Sequence, residues 1–208
     1  MSPAPPAERP TAVVWDIGNV IVRWDPRTLY DKIFADRAER DAFLEGVCTV
    51  AWNIEFDRGM PMAQGVAELT AQFPHYGQAI AAWKDRWPEM LSGTIPQSIA
   101  AIEALAARGV PQFGLSNMSL DICDVVLAMD PAFGHLKPII FSGAVGLIKP
   151  DAAIFELALE RFGRPAASLL FIDDNAANIE TARGLGFHAH LFEDPDAVAP
   201  LLAAHGLL

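Results

Sequence analysis

Val13-Val14-Trp15-Asp16-Ile17-Gly18-Asn19-Val20 is the stretch around which the rest of the chain arranges itself. Ala12 to Trp15 is an unbroken apolar run with two β-branched residues, the composition of a strand buried on both faces. Asp16 stands where that strand should leave the sheet. In open α/β sheets ligands bind in the crevice outside the carboxyl ends of the strands, so this carboxylate would point into that crevice. Gly18 lets the backbone turn sharply and approach a ligand closely. Taken alone, Asp-x-Gly is equally an ordinary turn, so the weight falls on what recurs further along.

The same arrangement recurs. Val110 to Leu115 reads as a strand ending at Ser116-Asn117. Pro138 to Ser142 reads as a short strand, followed by a glycine-rich loop from Gly143 to Lys149-Pro150. Leu169 to Ile172 ends at Asp173-Asp174-Asn175, and Phe187 to Phe192 is a last strand. Helical periods lie between them: Pro96–Arg108, Asp121–Met129, and a helix capped by Asp151 with Ile154, Phe155, Ala158 and Phe162 inward. A further helix carries Ile179, Ala182 and Leu185, and an amphipathic helix closes the chain. Strands alternating with helices predict an α/β fold with a doubly wound, Rossmann-like parallel sheet.

Between Trp24 and Gly93 the period is helical and no strand is expected. Asp25-Pro26 is a helix start, and helices are predicted over Ala38–Glu45, Met62–Gln72 and Gln78–Met90. Four of the five tryptophans, Trp24, Trp52, Trp83 and Trp87, fall here and read as packing between helices. The expected organisation is therefore a disordered tail over 1–10, a core formed by 11–23 and 94–208, and a helical insertion over 24–93.

Composition narrows the function. The 208 residues are 52% hydrophobic, ample for a packed core. A net charge of -11 argues against nucleic acid and anionic membranes as partners, though a local site can still take a phosphorylated ligand. Cys48 and Cys123 lack metal-ligand spacing and read as reduced, buried thiols of a cytoplasmic protein. No apolar run of membrane-spanning length and no signal-peptide pattern is present. His188-x-His190 reads as a partly buried or surface pair rather than a metal site. The P-loop, the dinucleotide fingerprint and the Gly-x-Ser-x-Gly elbow are absent.

Asp16, Ser116-Asn117 and Asp173-Asp174 each follow an apolar strand, and Lys149 sits in a loop before a helix. In a parallel sheet these strand ends share one edge, so the groups converge. Three carboxylates together call for a cation, and an all-oxygen set with room for water suits Mg²⁺. Lys149 and Ser116 offer charge and a hydrogen bond to an anionic substrate. A carboxylate can then act as the nucleophile through a covalent intermediate.

These motifs resemble those of the haloacid dehalogenase-like hydrolases, a superfamily of Asp-nucleophile phosphatases and dehalogenases. Asp16-x-Gly18-x-Val20, Ser116-Asn117, Lys149-Pro150 and Asp173-Asp174-Asn175 match its four motifs in order. The opening and closing motifs are most similar to those of the α-D-glucose-1-phosphate phosphatase-like group. The resemblance implies Asp16 as nucleophile and metal ligand, further Mg²⁺ contacts from the Gly18 carbonyl, Asp173 and Asp174, and phosphate held by Ser116, Asn117 and Lys149. It also implies that the insertion is a cap closing over the site. Within the insertion, Trp52, Glu55 and Arg58 could reach the substrate, with an ion pair inside the insertion the equal alternative for Arg58. The expected activity is a Mg²⁺-dependent phosphatase of a small phosphorylated metabolite, working as a monomer or homodimer. A haloacid dehalogenase using the same Asp16, and a binding domain without turnover, are the alternatives. One position departs from the pattern: most of the superfamily's phosphatases carry an acid–base Asp where this chain has Gly18. A steep dependence of rate on leaving-group acidity is expected from that absence.

Overall fold

The computed structural model describes residues 9–208; apart from Arg9 and Pro10, the tail expected over 1–10 lies outside the described residues. Strand β1 (Ala12–Trp15) is wholly buried, as its apolar run requires. After it come β2 (Val22–Trp24) and five helices: α1 (Arg27–Tyr30), α2 (Arg37–Gly46), α3 (Val50–Asp57), α4 (Met62–Gln72) and α5 (Gly77–Asp85). Strand β3 (Leu91–Thr94) leads into α6 (Pro96–Ala107), β4 (Gln112–Ser116), α7 (Cys123–Leu127), β5 (Leu136–Phe141), α8 (Ser142–Val145) and α9 (Ala152–Phe162). The chain ends with β6 (Leu169–Asp173), α10 (Ala176–Gly184), β7 (His188–Leu191) and α11 (Val198–Ala204).

Five strands form one parallel sheet in the order β5-β4-β1-β6-β7. β1 is central, so its carboxyl end lies between those of β4 and β6. The sheet buries side chains on both faces. Val13 and Trp15 join Ala101, Ile102 and Leu105 of α6, Leu202 of α11, and the insertion's core. Ala12, Val14, Phe113, Leu115 and Phe171 meet Ile154, Phe155 and Ala158 of α9 and Ile179 of α10. The polar atoms on this buried sheet are satisfied locally: Trp15 Nε1 donates to Gln112 Oε1 at 3.0 Å, and Gln112 Nε2 donates to the Ile102 carbonyl at 2.9 Å.

Four expectations change. β2 and β3 pair antiparallel as a two-stranded ribbon where the insertion leaves and rejoins the core. Their pairing partners are separated by the whole insertion, so no local period reveals them. The helix expected over Gln78–Met90 breaks after Asp85, and Trp87–Met90 continues as a 3₁₀ turn with Pro88 in it. The glycine-rich loop after β5 is the short helix α8, ended by Gly146 in the left-handed conformation. Asp151 precedes α9 without making a side-chain capping bond. Other helix starts do have side-chain caps: Thr49 Oγ1 accepts from the Trp52 amide at 3.1 Å, and Asn175 Oδ1 accepts from the Ala177 amide at 2.9 Å.

The tryptophans do pack: Trp83 lies 6.4 Å from Trp24 and 5.3 Å from Trp52, centroid to centroid. Cys48 and Cys123 are buried free thiols, and burial first of all pushes each up to about 12. Among the described residues no helix is long and apolar enough to cross a membrane.

Candidate active site

Asp16, Ser116, Lys149, Asp173 and Asp174 come together at the carboxyl edge of the sheet. The Asp16 amide donates to the Ile172 carbonyl at 2.9 Å, which fixes where β1 stops beside β6. Its Oδ1 accepts from the Ile17 amide at 2.7 Å and faces Lys149 Nζ at 2.9 Å. Lys149 is 3% exposed. Its Nζ also donates to Asp173 Oδ2 at 2.6 Å and to the Leu115 carbonyl at 2.9 Å, which uses all three protons. Asn117 holds the lysine's main chain: its Nδ2 donates to the Lys149 carbonyl at 2.9 Å and its Oδ1 accepts from the Lys149 amide at 2.8 Å. The Asn117 amide is thereby committed to placing Lys149. Ser116 ends β4, almost wholly buried, next to the end of β1.

The charges are out of balance. Burial raises Asp16 to about 7; Lys149 pulls it down, while Asp173 and Asp174 push it up further. Burial works to lower Lys149, but the carboxylates of Asp16 and Asp173 outweigh it, so the ammonium is held above its ordinary value. Asp174 is raised by burial and then by Asp173. Three carboxylates thus face one lysine.

That imbalance is what a divalent cation corrects. Asp16, Asp173 and Asp174 each offer an oxygen, all within 4.8 Å of one another. The set is all oxygen, as Mg²⁺ prefers. The three acids are not equivalent, however. Asp173 Oδ1 accepts from the Asn175 amide and Asn178 Nδ2, and Oδ2 from Lys149 Nζ and Asn178 Nδ2, so three donor groups already occupy it with four hydrogen bonds. Asp174 is exposed and much freer.

Two cavities adjoin this edge. One of about 910 Å³ reaches Lys149, Asn117 and Asn178, and is bordered across from them by Trp83, Asn53 and Asp57. A smaller one of about 130 Å³ is mostly apolar; Ile17, Gly18, Met118 and Val126 line it, again with Asn53 and Asp57. Trp52, Glu55 and Arg58 line neither. The face of α3 turned to the cavities carries Asn53 and Asp57, one helical turn apart. Trp52 instead packs edge-on against Phe56, and Glu55 and Arg58 are exposed. The i, i+4 spacing of Asn53 and Asp57 was visible in the sequence, but nothing local showed which face of α3 meets the core. Buried Nε1 atoms of Trp24 and Trp83, both bordering the larger cavity, have no hydrogen-bond partner among the described residues.

Gly18 differs from its expected role. Its φ is not positive; the left-handed residue of this turn is Asn19, with φ 54°. Asn19 Oδ1 accepts from the Trp24 amide at 3.0 Å and stabilises the turn. A Cβ placed on Gly18 would meet no atom within 4 Å.

A parallel sheet with an aspartate at the end of its central strand, flanked by a buried lysine and an acidic pair, is the architecture of an α/β-class hydrolase. A family model for haloacid dehalogenase-like hydrolases matches residues 10–186, and the chain belongs to that family. It is 31% identical over 99 residues to a phosphatase of Mycobacterium tuberculosis, covering 47% of this chain and 46% of that protein. It is 33% identical over 95 residues to the (S)-2-haloacid dehalogenase H-109 of Pseudomonas putida, covering 44% and 41%. The matched stretches span between 16% and 54% of the curated relatives compared. In three dimensions the chain is similar to a haloacid dehalogenase family enzyme from Bacteroides thetaiotaomicron in its magnesium complex. The TM-score is 0.72 with 14% identity, over 93% of this chain and 98% of that one, which is a likeness of fold.

Proposed function

We propose that the chain is a Mg²⁺-dependent phosphatase acting on a small phosphorylated metabolite through an aspartyl-phosphate at Asp16. The observation that supports this is the acidic pair Asp173-Asp174 beside Asp16, an excess of negative charge that calls for a cation. Asp16, Asp174 and the Gly18 carbonyl would hold Mg²⁺, with Asp173 contributing mainly by fixing Lys149. Bound there, the ion would offset the charge of Asp16 and of the phosphoryl oxygens.

The chain's own groups then have distinct tasks. Asp16 Oδ attacks phosphorus, held in position by the Ile17 amide and Lys149. Lys149 gives up one of its three present contacts to a phosphoryl oxygen and stabilises the charge that develops there. Ser116 donates to a second oxygen, and Asn117 keeps the lysine in place. The helical insertion acts as a cap that limits water at the reacting phosphorus.

Dehalogenation is the second reading, favoured by Gly18, because halide departs without an acid. Release of phosphate and of halide, measured over substrate panels in Mg²⁺ and in EDTA, separates the two. Phosphate release that EDTA abolishes is expected. Halide release that survives EDTA would overturn the phosphatase reading.

A further inference from the structure

The wall facing the core supplies a carboxyl group close to where the family's phosphatases carry one on the strand loop. Asp57 ends α3 and borders both cavities, the smaller together with Gly18 and the larger together with Lys149. Several contacts fix its place. Asn53 Nδ2 donates to Asp57 Oδ2 at 3.2 Å. The turn after α3 is seated on the core: a Cβ on Gly59 would stand 3.0 Å from the Gly143 carbonyl oxygen, and the Met62 amide donates to Asp121 Oδ2 at 2.7 Å. Asp57 therefore borders both the cavity that Gly18 lines and the cavity that Lys149 lines.

We propose that Asp57 is the general acid–base of the phosphatase reaction set out above, on which this inference rests, and that it takes over the part left empty by Gly18. In the first step the Asp16 oxygen–phosphorus bond forms and the bond from phosphorus to the ester oxygen breaks. The departing oxygen keeps the electron pair and takes the proton of Asp57. In the second step water attacks phosphorus, the Asp16–phosphorus bond breaks, and Asp57 recovers a proton from that water. Protons and electron pairs balance, with ester and water consumed and alcohol and phosphate released.

The state of the group suits the part. Burial raises Asp57 to about 7, against the opposing pull of Lys149 and the Ser119 amide. An acid of that strength is protonated in part at neutral pH and serves in both directions. The steep leaving-group dependence expected from Gly18 alone is replaced by a shallow one.

The test uses the full chain with Mg²⁺ and a series of aryl and alkyl phosphates. Wild type should hydrolyse both with a shallow dependence on leaving-group acidity. Asp57→Asn should lower kcat/KM for alkyl esters by about 10²–10⁴-fold and kcat/KM for the most acidic aryl esters far less. With aryl esters Asp57→Asn should also show a burst of phenolate, since hydrolysis of the aspartyl-phosphate loses its base. Gly18→Asp in the Asp57→Asn background should restore alkyl turnover, because that position has room and an ordinary φ. An equal loss on aryl and alkyl esters, or a change in KM alone, would overturn the role of Asp57 and leave the phosphatase reading intact. Absence of phosphate release from every ester by wild type would remove both.

Discussion

The carboxyl edge of the sheet and the insertion that faces it present polar groups to the same cavities in opposite ways. On the sheet side Lys149 spends every proton, and Asp173 accepts four hydrogen bonds. On the insertion side Asp57 accepts from Asn53 Nδ2 and the Ser119 amide, and two indole N–H groups have no partner among the described residues, a state that Asn178 Oδ1 shares on the sheet side. A saturated buried network is rigid, and removing any member leaves a buried charge or donor unpaired. Groups with unmade hydrogen bonds are free to meet a ligand. On the reaction proposed above, the sheet edge would supply the nucleophile and the control of charge, and the insertion would supply the acid–base Asp57 and the contact with the variable part of the substrate.

The difference can be broken most severely at the nucleophile. Asp16→Asn should lower turnover by at least about 10³-fold while far-UV circular dichroism stays unchanged, because the amide is nearly isosteric but a poor nucleophile. Residual activity within a few-fold of wild type would remove the assignment. Lys149→Ala should come next. It leaves Asp16 and Asp173 buried without their cation, at a cost of about 3–5 kcal/mol in denaturant unfolding. Part of that loss should be recovered in Mg²⁺ and not in EDTA. A protein as stable as wild type in both would mean that the buried pair contributes nothing.

The insertion should respond through packing instead. A Cβ at Gly65 would overlap the ring of Phe56, the residue before Asp57. Gly65→Ala should therefore cost about 1–3 kcal/mol and shift α3, lowering activity without touching the sheet edge. Unchanged melting and turnover would show that α3 is not held by this contact. The smallest effect is expected at Glu89, which pairs with Arg86 at 2.7 Å and Lys32 at 2.8 Å on the insertion's surface. Its bond from Arg86, then that from Lys32, holds its carboxyl down, at about 2. A lowered value stabilises the fold above the unfolded carboxylate range, and that contribution fades as pH falls through about 2. Glu89→Gln should lower the melting temperature slightly at pH 7 and not at all near pH 2. A pH-independent difference would point to packing rather than charge.

How much was legible follows from where the signal lies. β1, β4 and β6 are short apolar runs that end in Asp, Ser or Asp, and each was readable because burial and the strand end are written in consecutive residues. β2 and β3 were not, since strands of three and four residues with partners in distant sequence have no period of their own. Gly18 invited the idea of a glycine-requiring turn, whereas Asn19 takes the left-handed conformation with its own side chain bonding the Trp24 amide. On α3 the sequence points to Trp52, Glu55 and Arg58, whereas the face that meets the cavities carries Asn53 and Asp57.

By itself the sequence determined the parallel sheet, the family, and the gathering of Asp16, Ser116, Lys149, Asp173 and Asp174 at one edge. The sheet and the gathering follow from short-range pattern and from the rule that parallel strands end on the same side, and the family follows from the resemblance of the four motifs. Tertiary structure alone decided what each of these groups has left to give. That Asn117 clasps the Lys149 main chain, that Lys149 reaches Asp173, and that Asp57 and Gly18 border one cavity depend on residues 24 or more positions apart. Their distances are set by how layers pack, and packing is a property of surfaces in contact rather than of neighbours along the chain.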